Sequence, residues 1–216
     1  MSRILVLFFT LGIIGEVHSQ NVSNPELDLH RSFSDINLGD SYQKWKDFLF
    51  DQEVHNKNAF SYTFKSDSCC NAVFDNPTSL VWVTFQNDKV VSIRIELKNF
   101  FEGKRMTTTP DVKAVIESSV AKYVMINKRF STLFGEPYAS HSNEHDAQNE
   151  LAFIVQWMGA ITFLETNYYY YPAVYPPTRT VGPPTGLTEK LEEARDKTVI
   201  ILSDVNFLKE QLKSGF

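Results

Sequence analysis

Cysteine is almost absent: 216 residues carry two, Cys69 and Cys70, side by side in "KSDSCCNAVFDNP". So long a chain with so few cysteines is no disulfide scaffold and must stand on burial. Charge is also sparse in one respect. Lys and Arg total 21 against 26 Asp and Glu, a net −5, and no basic stripe appears. That balance gives no electrostatic reason to bind nucleic acid. There is no glycine-rich phosphate loop, nucleophile elbow or kinase-like motif. After the first residues no apolar run approaches the roughly 20 residues a membrane helix needs.

What is present begins with export. Arg3, the apolar run "ILVLFFTLGIIG" and the small Ser19 before Gln20 have the three-part layout of a signal peptide. The expectation is a signal peptide over 1–19, cleavage near Ser19–Gln20, and a periplasmic or secreted protein with no transmembrane segment afterwards. Residues 20–34 read as a polar, patternless arm. Asn21-Val22-Ser23 is a glycosylation triplet, of consequence only in a host that modifies such sites. Aromatics are plentiful, with 17 Phe, 9 Tyr and 3 Trp, which argues for a packed interior.

Two blocks follow. In "INLGDSYQKWKDFLF", Asp40 or Ser41 can cap a helix in which Tyr42, Trp45, Phe48 and Leu49 recur at helical spacing. "AFSYTFK" alternates as a half-buried strand. "LVWVTF" and "VVSIRIELK" flank Asn87-Asp88, a tight-hairpin centre, and Val91, Ile93, Ile95 and Leu97 share the buried face. A second helix starts at Thr109-Pro110, carries a stripe of Val112, Ile116, Ser119, Tyr123, Ile126, Phe130 and Leu133, and stops at Gly135. "LAFIVQW", "AITFLET" and "TVIILSD" read as strands, "LTEKLEEARDK" as a short charged helix, and "VNFLKEQLK" as a terminal helix capped by Asp204. All three tryptophans fall within patterned elements, where core packing is the default.

The expected fold is therefore α+β, two helix-plus-antiparallel-meander units packed as a two-layer domain. They span 35–103 and 104–216, the second holding a Tyr/Pro-rich loop at 168–186. "INLGDSYQKWKDFL" and the helix end "LFGEP", followed by a strand ending in Trp157, resemble exported bacterial proteins of the SmpA/OmlA type and tandem-repeat β-lactamase-inhibitor-like proteins. The resemblance implies helices on antiparallel meanders and a role in binding other proteins, with no catalytic residues. The chain departs from the first family in lacking its lipid-anchored cysteine.

Three places invite chemistry. His141, Glu144 and His145 match H-x-x-E-H, which on a helix presents two imidazoles to zinc. Polar flanks and a position between a helix stop and a strand make this a connector, so zinc hydrolysis stands only as an alternative. Tyr168, Tyr169, Tyr170, Tyr171 and Tyr175 offer a stiff aromatic surface for a partner or glycan, unless the first four alternate across a strand and two pack inward. Cys69 and Cys70 have α-carbons about 3.8 Å apart, short of the usual 4.4–6.8 Å disulfide span. They are either free thiols or a strained ring, with no catalytic duty. The expectation is an exported, non-enzymatic interaction module of the cell envelope, without cofactor, binding another envelope or secreted protein; a small-ligand or glycan binder is the further alternative.

Overall fold

The computed structural model describes residues 23–56, 58–64, 70–98, 109–145, 150–171 and 195–213. The signal-type segment, Asn21, Tyr175, "LTEKLEEARDK" up to Ala194 and the rest of the Tyr/Pro-rich loop beyond Tyr171 lie outside them. Helices and one large antiparallel sheet make an α+β protein. In chain order the elements begin with helix α1 (Pro25–Leu29), the small hairpin β1 (Ser32–Phe33) and β2 (Ile36–Asn37), and helix α2 (Tyr42–Trp45). Then come strands β3 (Leu49–Asn56), β4 (Ala59–Phe64), β5 (Ala72–Val73), β6 (Asn76–Gln86) and β7 (Lys89–Leu97). Helix α3 (Thr109–Phe134) leads to β8 (Ala139–His145), β9 (Glu150–Met158), β10 (Thr162–Tyr171), β11 (Arg195–Asp204) and helix α4 (Val205–Lys213).

The main sheet runs β3-β4-β6-β7-β11-β10-β9-β8, with β5 pairing to β6 at one side. Its middle is the β7–β11 pair, in register from Val199 opposite Glu96 to Ser203 opposite Ser92. Between β6 and β7, Asn87 and Asp88 have φ of 51° and 65°, the left-handed pair that a two-residue hairpin turn demands. Asn and Asp tolerate that region better than other side chains.

One face of the sheet is the core. Val81, Val83, Ile93, Ile95, Ile200, Leu202 and Leu164 are buried under α3, which contributes Ile126, Phe130 and Phe134. Leu133, expected in that stripe, is half exposed, and Phe134 takes its place one position later. The helix stops as its sequence requires. Gly135 has φ 75° and donates to the Ser131 carbonyl, while its own carbonyl accepts the buried Trp157 indole N–H at 3.0 Å.

The helix expected through Leu49 is one α-turn followed by a 3-10 turn, Lys46–Phe48, and Leu49 starts a strand. Trp45 and Phe48 pack on Phe64 of β4 instead, and Asp40 accepts from the Trp45 indole at 3.0 Å rather than extending a helix. The patternless arm is docked. Asn24 caps α1 through its side chain and donates its N–H to the Met158 carbonyl, and Leu27 is fully buried. The Asp28 carboxylate accepts three backbone N–H groups from the β9–β10 turn: Ala160 at 2.7 Å, Ile161 at 3.1 Å and Thr162 at 2.9 Å. Burial alone would raise its pKa, but these bonds outweigh it and hold the carboxyl below the usual carboxylate range.

Candidate functional site

Strand alternation sends every second residue to the face away from α3. On that face β6 places Leu80, Trp82 and Thr84, β7 places Ser92, Arg94 and Glu96, and β11 places Lys197 and Ile201. With Glu53, Ser61, and Phe207 and Gln211 of α4, they line a groove of about 580 Å³. The α4 helix is fixed over one end of it. Asp204 accepts the Asn206 N–H at 2.8 Å and an Arg31 guanidinium N–H at 2.8 Å, and Gln86 donates to Glu210 at 2.8 Å.

The groove has three cross-strand rows. The innermost is made of hydroxyls: Ser61 opposite Thr84, Thr84 opposite Ser92, Ser92 opposite Ser203. Two of these pairs are hydrogen-bonded at 2.7 Å. The middle row sets Trp82 directly opposite Arg94, and Arg94 opposite Ile201. The outer row holds Glu96, bracketed by Arg94 at 2.9 Å and Lys197 at 2.8 Å. The four ionised side chains lining the groove, Glu53, Arg94, Glu96 and Lys197, cancel in charge. Trp82 differs from its two fellow tryptophans. Trp45 and Trp157 are buried, whereas Trp82 is only half-buried and lines the groove. Core packing, the default reading for all three, does not hold for it.

The residues singled out from sequence scatter. His141, Glu144 and His145 lie on β8, an edge strand regularly paired with β9, not on a connector and not on a helix. The helical spacing that H-x-x-E-H requires is therefore absent. His141 is exposed, four strands from Glu96 along the same cross-strand row, roughly 19 Å at about 4.8 Å per strand. Among the described residues no cluster of three His, Cys, Asp or Glu could hold a metal.

The tyrosine run is strand rather than loop as far as Tyr171. Tyr168 and Tyr170 point inward and are buried, which removes them from a binding surface. Tyr123 stacks on Phe153, Tyr168 packs tilted against both, and Tyr168 donates to Ser119 at 2.9 Å, which donates to Asp196 at 2.5 Å. This buried network pins α3 to β10 and β11, with the Ser119 proton committed to a carboxylate. Burial pushes the Tyr123 phenol up to about 12 and raises that of Tyr168 further. Tyr169 is half-buried opposite Lys197 and reaches the groove face.

Cys70 is nearly buried, has φ 69°, and is disulfide-bonded; Cys69 is the one other cysteine in the chain. The Thr78 hydroxyl donates to the Cys70 carbonyl at 2.5 Å, closing the turn into β5. A sulfur held in a disulfide is no thiolate nucleophile.

No family model, curated protein or solved structure matches this chain.

Proposed function

We propose that the chain is an exported, non-catalytic binding module. Its contact surface is the groove around Trp82 and Arg94, and its partner is a segment of another envelope or secreted protein. One observation carries this reading. Trp82 and Arg94 face each other at the open centre of the groove, and Trp and Arg are the side chains most enriched at the energetic centres of protein interfaces. Leu80, Ile201 and Phe207 give the apolar floor such a centre needs, and the Arg94–Glu96–Lys197 cluster gives the polar rim. The export half of the reading rests on the signal-type N-terminus.

The two-unit organisation belongs to the same proposal. Three strands on each side of the β7–β11 pair, in chain order toward it, support a duplicated meander, as does a helix before each set. The likeness to SmpA/OmlA-type and β-lactamase-inhibitor-like proteins goes with that organisation, although the first unit's helix is a single turn. A sugar ring is the second reading, favoured by Trp82 beside a carboxylate and a row of hydroxyls.

Immobilised wild-type protein and a Trp82→Ala/Arg94→Ala variant, exposed to the same envelope and culture-medium extract, test the groove. We expect a partner retained by wild type to fall at least tenfold with the variant, whose Tm stays within about 4 °C. Equal retention by both proteins overturns the proposal. Retention eluted by a simple glycan selects the second reading.

A further inference from the structure

The core face of the sheet holds a second cavity, and nothing in the groove reading uses it. Its floor is aliphatic: Ile95 of β7, Leu164 of β10, and Ile200 and Leu202 of β11. The end of α3 forms one wall, with Phe130 and Phe134 stacked at 6.0 Å and Leu133 half exposed at the rim. The turn after β5 forms another, where Phe74 meets Phe130 edge-on at 4.8 Å. The docked N-terminal arm supplies the roof through His30, Ser32 and Phe33, with His30 5.5 Å from Phe134.

Three features distinguish this space from a packing flaw. Interiors are packed to crystal-like density with few voids larger than a water, yet a pocket of about 280 Å³ opens here between the end of α3, the β5 turn and the core strands. The lining contains no carboxylate, ammonium or guanidinium, and its polar side chains, His30 and Ser32, both sit at the exposed mouth. A water deep inside would lack the two to four polar partners it needs. An apolar body loses nothing there.

We propose that this cavity binds a small hydrophobic molecule of two-ring size, with one uncharged polar group lodged at His30 and Ser32. The volume sets the size. A cavity of about 150 Å³ accepts benzene, and sites for drug-sized ligands start near 300 Å³. The four phenylalanines in the walls favour a flat aromatic body over a branched aliphatic one. The site lies across the sheet from the Trp82 groove, because Ile95 alternates with Arg94 and Glu96 along β7. It therefore stands or falls independently of the proposed partner surface.

The probe is 2-naphthol, titrated into the mature-length protein by calorimetry and by ligand-observed NMR. Wild type is expected to bind one equivalent with a dissociation constant on the order of 100 µM, as a ligand of this size permits. Intermolecular NOEs should connect naphthol protons to the rings of Phe74, Phe130 and Phe134. Ala72→Trp and Ser32→Trp add bulk at exposed positions on opposite walls, and each should weaken binding at least tenfold. Trp82→Ala, on the other face, should leave it unchanged. Lack of saturable binding by wild type, NOEs to other residues, or binding unaffected by both fillers overturns the proposal. Should either filler fail to fold, the NOE pattern of the wild type decides alone.

Discussion

Asp28 and Gly159 together lock the N-terminal arm onto the β9–β10 turn, and breaking that lock has a definite cost. Asp28→Ala removes the acceptor of three backbone N–H groups. A hydrogen bond contributes about 1 kcal/mol net, and more with a charged partner. At this partly exposed site, the low end of that range gives a loss of about 2–4 kcal/mol. For a protein of this size, that is a fall in Tm of roughly 5–12 °C. Gly159→Ala should cost a similar amount for a different reason: a Cβ there would overlap the Asp28 carboxylate and expel it from the turn. The two changes are therefore predicted to be strongly non-additive, since once Asp28 is alanine the space beside residue 159 is free. Guanidinium denaturation of wild type, both single variants and the double variant measures the cycle. Amide exchange at Ala160, Ile161 and Thr162 reads the same loss locally. A Gly159→Ala penalty as large in the Asp28→Ala background as in wild type would refute the reasoning. Acidity provides a second check. The carboxyl is held below its ordinary value of 3.8, so its contribution is complete above that unfolded-state pKa. It is lost as pH falls further through the folded value, and there the wild-type and Asp28→Ala stabilities should converge.

Two further outcomes follow from burial and bonding. Thiol titration under denaturing, non-reducing conditions should find no free thiol, and two after reduction, because Cys70 is disulfide-bonded in a chain of two cysteines; two free thiols before reduction would contradict this. Tyr123 and Tyr168, whose phenols burial keeps protonated, should ionise later than the ordinary tyrosine value of 10.0 in a spectrophotometric titration. Their stabilising contribution is complete below that value and lost as pH climbs toward about 12, so alkaline unfolding should accompany the late phase. Removing the hydroxyl in Tyr123→Phe should reduce that late absorbance change.

Much of the fold was legible where the signal is local. The Asn87-Asp88 turn, the alternation of Ile93, Ile95 and Leu97 along β7, the stripe and stop of α3 and the Asp204-capped α4 each depend on residues within one element; Val91, expected on that buried face, falls at a register shift and Val90 is buried instead. What escaped depends on distant partners. Both edge strands went unread: β3 carries register shifts after Phe50 and Val54, and β8 is polar on both faces, so neither shows a period of two in apolar residues. Asp28 is lost in the stretch read as a patternless arm because the N–H groups that receive it lie some 130 positions later, at Ala160 to Thr162. Trp82 was hidden by its neighbours. "LVWVTF" is apolar on both faces, and a continuous run does not say which face a helix covers. Tyr168 and Tyr170 were separable from Tyr169 by alternation alone, once the run was taken as strand.

The central β7–β11 pair has a consequence for how the chain comes into being. Ser92 and Ser203, hydrogen-bonded across that seam, are 111 positions apart. During synthesis β7 is complete, with its far edge unpaired, long before its neighbour exists. An open edge flanked by Ile93, Ile95 and Leu97 is a template for the wrong strand, from this chain or another. The loop entropy of so distant a closure rises only slowly with length, but the search for it lengthens folding time. Assembly of the sheet therefore waits on one of the last strands made, and the halves stay unzipped until β11 arrives.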